Sequence, residues 1–287
     1  MPRRGARAAM PSSCPVPSGR MSIPTAPAPG EERTAHCLLD HAGRVLDAAD
    51  ADRPFYAAST IKLHVLLAAL RAVDAGGLDL AARVTATSRF RGADGEVFAL
   101  GGDHRDATHP PEGTPIAVRE LLVRMIDRSS NEATDHVLSL VGLPAVAEEI
   151  ARLGLTSTRV ERMIGDASAI AAGATNETSA ADLARTIRAL VAGAPGPGGL
   201  EPRSRSLARE ALRAQRIRVI ADALRPDVEV GSKTGWVDDY RHDVAFLGDP
   251  DTTTVRYLAV MTAGRGQEAA DAHIGRLVRA LLPDLAR

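Results

Sequence analysis

From residue 33 onward the hydrophobic period of the chain changes several times, and the order of the changes outlines a fold. Residues 34–39 and 45–48 are short β-prone runs separated by Asp40-His41-Ala42-Gly43, a turn sequence, and predict a hairpin. In residues 60–75, Leu63, Leu66, Leu67, Leu70 and Val73 recur at helical spacing, and Gly76-Gly77 ends the segment. Helical spacing returns in residues 116–126, 132–140 and 144–153, the last stopped by Gly154. It returns again in 180–191, with Ser179 as N-cap, and in 206–214. Residues 228–233, 244–247 and 255–262 are apolar and β-branched and read as strands, and 267–282 is a closing amphipathic helix. Strands, many helices, strands and a helix imply an α+β fold. One antiparallel sheet is built from both chain ends, with flanking helices and an inserted all-helical part.

Three stretches lack periodicity. Residues 88–115 hold much Gly, Asp, His and Pro, and 156–178 hold Gly, Ser, Thr and Ala; both read as long loops, and loops of that length inside a domain are commonly functional. Residues 194–199 are a Pro/Gly break. The first 32 residues are rich in Pro, Ser and Ala and read as a disordered tail. This leaves one domain over 33–287, with a sheet part at about 33–58 and 200–287 and a helical part at about 59–199.

Composition removes several function classes. Formal net charge is −1 and aromatic residues make up 3%, so the basic, aromatic-studded surface that binds nucleic acid is missing. No run approaches the apolar length of a membrane span. Arg3, Arg4 and Arg7 are not followed by the apolar stretch of a secretory signal, which favours a cytoplasmic location and no membrane partner. Cys14 and Cys37 give no disulfide framework. His104, His109, His136 and His242 are scattered without ligand spacing, so neither a metal nor a cofactor is expected. A monomer acting on a small molecule is the resulting expectation.

The basic residues are the informative ones. Lysine and arginine together number 35, yet only Lys62 and Lys233 are lysine. Arginine stays protonated, whereas a buried lysine can lose its proton and act as a base. Lys62 follows Ser59 by three residues, which puts both on one face if Ser59 starts the helix. A serine hydroxyl needs such a base to become a nucleophile. Ser129-Ser130-Asn131 sets a hydroxyl and a carboxamide between two predicted helices, able to relay a proton and bind a substrate amide, or simply to cap a helix. Lys233-Thr234-Gly235, at a predicted strand end, can hold a carboxylate, with the glycine permitting close approach to the backbone.

The three elements in this order resemble the class A β-lactamases and related penicillin-recognising serine enzymes. The resemblance covers about residues 33–287. The separations, 70 residues from Ser59 to Ser129, 37 on to Asp166 and 67 on to Lys233, are close to the family's apart from extra residues in 88–115. It implies a β-lactamase-like fold and β-lactamase-type hydrolysis of a cyclic amide through an acyl-enzyme on Ser59. Lys62 is then the activating base and Ser129 the proton shuttle to the leaving nitrogen. Asn131 contacts the substrate amide and Lys233 and Thr234 its carboxylate, while the backbone N–H groups of Ser59 and Trp236 form the oxyanion hole. An esterase, peptidase or acyltransferase on a small metabolite, and a penicillin-binding relative with slow deacylation, are the alternatives.

The chain departs from that pattern, or matches it only loosely, in five places. Asp166 aligns where the family keeps a glutamate that activates the deacylating water, and it reads equally as a loop-stabilising cap; Glu161 is a second loop carboxylate. The family's asparagine that shares this water falls near Ala169 or Asn176, without a clean match. Ser130 replaces the usual aspartate of the second motif, and Trp236 follows Gly235 where a small residue is commoner. Arg241 lies near an arginine that helps bind carboxylate, with pairing to Asp238, Asp239 or Asp243 as the competing reading, and His242 offers a second polar contact.

Overall fold

A computed structural model describes residues 31–101, 105–192 and 199–287. The reading of residues 1–32 as a tail falls outside these apart from Glu31 and Glu32. Cys14, His104 and nearly all of the 194–199 break lie outside them too. The central sheet has five antiparallel strands in the order β10-β11-β12-β1-β2. These are β1 (Arg33–Leu39) and β2 (Val45–Ala49) from the start of the chain, and β10 (Val230–Val237), β11 (Tyr240–Leu247) and β12 (Arg256–Ala263) from its end. The predicted hairpin and the sheet drawn from both chain ends are therefore present.

β12, and parts of β1 and β11, are apolar at successive positions because helices cover both faces there, whereas the edge strand β2 is exposed throughout. Cys37, Leu39, Val244, Phe246, Tyr257 and Ala259 join one core, while Leu38, Ala245, Leu247, Leu258 and Val260 join another. Helix α7 (Gln267–Leu281) covers the second face through Ile274 and Val278. The first face meets the helical layer: α1 (Lys62–Asp74), α2 (Val118–Asp127), α3 (Asn131–Arg152), α5 (Ala180–Val191) and α6 (Pro202–Arg213). Helix α1 is its axle. Leu63, Val65, Leu66, Leu67, Ala68, Ala69 and Leu70 are all buried, more than the single apolar stripe the spacing predicts, as befits a helix surrounded by others.

The long α3 joins the two helices predicted on either side of residue 142. Gly142, at φ 79°, breaks the helical path between them, a conformation open to glycine without strain. The 88–115 loop contains a small hairpin, β5 (Arg89–Arg91) with β6 (Val97–Ala99). Ile116 belongs to β7 (Pro115–Ala117), which pairs with β4 (Arg83–Thr85), so the next helix starts two residues later than its spacing suggests. The 156–178 loop holds β8 (Arg159–Val160), the single turn α4 (Ala167–Ala171) and β9 (Asn176–Thr178), which pairs with β3 (Phe55–Tyr56). Helix α6 begins at Glu201 and Pro202, a favoured first-turn proline, and packs on α1, α2 and α5 as well as on β10.

Candidate active site

The site lies in the seam between the helical layer and β10. Ser59 sits in a 3-10 turn, Ala58–Ile61, that leads into α1. Lys62 is the first residue of α1, one turn on from Ser59 and fully buried. Lys233, Thr234 and Gly235 lie in the middle of β10, not at a strand end as expected, and the strand runs on to Trp236 and Val237. Gly235 is needed for the close approach of strand and turn. A Cβ there would lie 3.0–3.1 Å from Thr60 N, Ser59 N and Ala57 O, all backbone atoms.

Both amines converge on Ser129. Lys62 Nζ donates to Ser129 O at 2.6 Å and to Asn131 Oδ1 at 2.7 Å, and lies 3.1 Å from Ser129 Oγ. Lys233 Nζ lies 3.0 Å from the same Oγ and donates to Thr234 O at 2.6 Å. An ammonium has three N–H donors, and Lys62 meets three acceptors. Loss of one proton leaves a lone pair able to accept the Ser129 hydroxyl proton, so the geometry suits both states. Burial pushes the Lys62 amine well below its ordinary range, and the Lys233 charge adds to this; Asp135, Glu132 and Asp106 pull the other way. Lys233 is pushed down to about 7, again by burial first, against the pull of Asp243 and with help from Arg241.

The backbone here is strained at Ser129 and beside Ser59. Ser129 has φ 58° and Ala58, beside Ser59, φ 46°. Non-glycine residues in this left-handed region cost about 1–2 kcal/mol each and persist where surrounding structure dictates them. Ser130 follows the cap reading: its side chain accepts Ala133 N–H at 3.2 Å at the start of α3, turned from the cleft that Ser129 and Asn131 face. Ser59 makes no side-chain hydrogen bond among the described residues.

Two cavities meet at Ser59. The larger, about 710 Å³, is lined by Ser59, Ser129, Asn131, Thr234, Trp236, Val237, Asp238 and Arg241, with Ile217 and Gln267 where it borders a further cavity. The smaller, about 80 Å³, is lined by Ser59, Asn131, Trp236, Tyr56, Ile164 and Asn176. Trp236 is 55% exposed and walls both.

Asp166 lines neither. It caps α4, with Oδ1 accepting from Ala169 N (3.0 Å) and Ser168 Oγ (2.6 Å), and Oδ2 accepts Ala93 N–H (3.0 Å) from the β5–β6 turn. Burial raises its pKa, but these hydrogen bonds outweigh it and hold the group below its ordinary value. Its position corrects the alignment with a water-activating carboxylate. From this loop Ile164 and Asn176 line the smaller cavity beside Ser59, and the Ile164 N–H is held by Asp135 Oδ1 at 2.8 Å. Glu161 is at the loop neck, accepting Thr175 N–H. Asn176 clamps that neck through Glu161 N and Arg162 O.

Arg241 borders the larger cavity but is paired with Asp271 of α7, at 2.6 and 2.9 Å, rather than with any of the three aspartates considered from sequence. His242 does not reach the cleft. Its Nε2 lies 2.9 Å from Tyr56 O, Thr262 N–H donates to Nδ1, and burial pushes it down to about 4, so it is a neutral packing residue. Ile164, Ile217, Gln267 and Asp271 were missed by sequence reasoning. Only Ile164, an apolar residue in a polar loop, carried a local signal. Among the described residues no three His, Cys, Asp or Glu side chains group as a metal site, and no helix is long and apolar enough to cross a membrane.

Residues 38–284 match the sequence model of the β-lactamase enzyme family. Among solved structures, a β-lactamase from Sphaerobacter thermophilus is 25% identical with a TM-score of 0.73, covering 89% of this chain and 92% of its own. One from Xanthomonas campestris is 26% identical with a TM-score of 0.72, covering 88% and 91%. PBP-A, at 23% identity and a TM-score of 0.69 over 88% and 89%, shares the fold. No curated protein matches the sequence.

Proposed function

Because this chain belongs to the β-lactamase enzyme family, we propose that it is a serine acyl-transfer enzyme in which a β-lactam or similar cyclic amide acylates Ser59 and the acyl group then leaves slowly. The observation that carries this reading is the Lys62–Ser129–Lys233 chain of contacts beside Ser59. Lys62 takes the Ser59 proton as Oγ attacks the carbonyl carbon. The C–N bond breaks, and the proton passes through Ser129 to the leaving nitrogen. Lys233 and Thr234 hold the substrate carboxylate. The N–H groups of Ser59 and Trp236 face the developing oxyanion, a type of contact worth about 3–4 kcal/mol when a donor is lost.

Slow release rests on the smaller cavity. Water must be deprotonated to attack the Ser59 ester, and no carboxylate lines this cavity. This favours the slow-deacylation alternative over efficient hydrolysis. The protein incubated with a fluorescent penicillin, and followed by intact mass, should gain one adduct on Ser59 that persists for many minutes. No adduct would overturn acylation, and rapid clearance with product release would overturn slow deacylation.

A further inference from the structure

We propose that the cleft runs on into an arginine-lined subsite that takes a second anionic group, carboxylate or phosphate, on the leaving portion of the substrate. This rests on acylation of Ser59 and goes beyond it by naming a substrate class. Ser129, the proton donor to the leaving atom, lines the larger cavity at Ser59 but not the smaller one. The leaving group therefore extends along the larger one, past Thr234 toward Ile217, Arg241 and Gln267.

Those last three residues also wall a further cavity of about 490 Å³ between residues 216–223 and α7. The two spaces share that border. Ile217, 44% exposed, is an apolar saddle between them. Its place is fixed by Arg216 N–H to Asp127 O (2.9 Å) and Ile217 N–H to Gln215 Oε1 (3.1 Å).

The charge in the second space is only partly neutralised. Arg216, Arg218, Arg241 and Arg279 line it against Asp222 and Asp271. The Arg241–Asp271 pair at the border is tight, but the others are loose. Arg218 is 3.7 Å from Asp222, with both side chains more than half exposed. Arg216 reaches 3.9 Å from Asp127, which already makes two bonds to Arg128. Arg279 has no carboxylate partner among the described residues. Exposed pairs of this kind contribute little and leave guanidinium N–H groups to bind a planar carboxylate or a phosphate in bidentate fashion. The bland reading is a solvated surface, since arginine is the ordinary cation of this chain. It does not account for arginines from two separate elements facing one cavity that shares three lining residues with the cleft at Ser59.

Esters sharing one acyl group but differing in leaving group test the idea, read as the second-order rate of Ser59 acylation by intact mass. A 2-hydroxyglutarate ester should react about tenfold faster than its 5-amide, or a 3-phospholactate ester about tenfold faster than the lactate ester; which pair responds separates carboxylate from phosphate. The ratio should collapse toward one in the Arg218→Gln/Arg279→Gln double variant. In the unaltered protein it should shrink as salt rises, because exposed charges are screened. A ratio near one for both pairs would overturn the subsite, as would a ratio insensitive to salt or kept by a folded double variant. If no ester acylates Ser59, the failure lies with the acylation reading itself.

Discussion

Two amines within hydrogen-bond reach of one hydroxyl, both depressed by burial, divide their work by position. Lys62 is nearer Ser59 in the chain, and burial together with the Lys233 charge holds its amine well below the ordinary range. A guanidinium at 62 could neither accept a proton nor fit among Ser129 O, Ser129 Oγ and Asn131 Oδ1. Lys62→Arg should therefore lower the acylation rate by at least about 10³-fold, the scale of a lost general base. Lys233→Arg keeps a cation for the carboxylate and should weaken substrate binding more than the acylation step. Stopped-flow acylation over a range of substrate concentrations separates the two, and equal losses would mean the roles are wrongly divided. The loop residues give a paired test. Asp166→Asn should leave adduct lifetime unchanged and lower stability by about 1 kcal/mol, because the amide oxygen can still cap α4 but the NH2 that replaces Oδ2 cannot accept Ala93 N–H. Ile164→Glu, which sets a carboxylate on the wall of the smaller cavity, should shorten adduct lifetime about tenfold or more; an unchanged lifetime would show that water attacks from elsewhere. The choice of Asp166 from sequence shows the limit of residue type as a guide. A carboxylate at the right distance along the chain is easily found, but α4 turns it toward the β5–β6 hairpin.

At the scale of elements, the site depends on how closely β10 lies against the turn that carries Ser59. The glycine of Lys233-Thr234-Gly235 was legible as a place of close approach, although the approaching group is the protein's own backbone rather than a ligand alone. Gly235→Ala would place a methyl 3.0–3.1 Å from three backbone atoms that cannot swing aside. The turn must retreat by a few tenths of an ångström, which shifts Ser59 N–H and Oγ together. A misplacement near 1 Å can cost about a hundredfold, so acylation should fall about tenfold here. Preserved thermal stability with an unchanged rate would show that the seam tolerates the methyl. Helices with clear apolar stripes were read to within a few residues, and Ser179 caps α5 as expected. The short β5–β6, β8 and β9 pieces were not, because strands of two or three residues have too few positions to show a period. Such strands are held by their partners, as β9 is by β3 and β8.

For the molecule as a whole, the site sits where strands from the end of the chain meet helices from its middle, and its electrostatics belong to both layers. Lys233 on β10 faces Ser129 from the helical layer, while Asp243 and Arg241 on β11 act on it from the sheet. With its proton released at about 7, it is an ammonium below that pH and a neutral amine above it. Attraction for a substrate carboxylate is thus fully present on the acid side and lost as pH rises through about 7. The ratio of acylation rates for a carboxylate substrate and its methyl ester should fall across pH 6–8.5, with effects on Lys62 cancelling in the ratio. A flat ratio would mean Lys233 keeps its proton throughout. The sheet drawn from both chain ends was legible because short apolar, β-branched runs recur at both ends of the chain. The arginine-lined cavity was not, since Arg241 finds Asp271 thirty residues away on another element.

The amino-acid sequence alone determined the chemistry on offer: a serine three residues before a lysine, a second lysine in a β-prone run, and arginine everywhere else. It also determined the helices and the sheet, since local period and residue type depend on neighbours along the chain. The tertiary structure decided which groups meet. It brought both lysines onto Ser129, set Ile164 rather than Asp166 on the cavity wall beside Ser59, and placed a second cavity next to the cleft. Direction and distance between side chains follow the path of the backbone through loops and the packing of remote elements, and neither is encoded in local spacing.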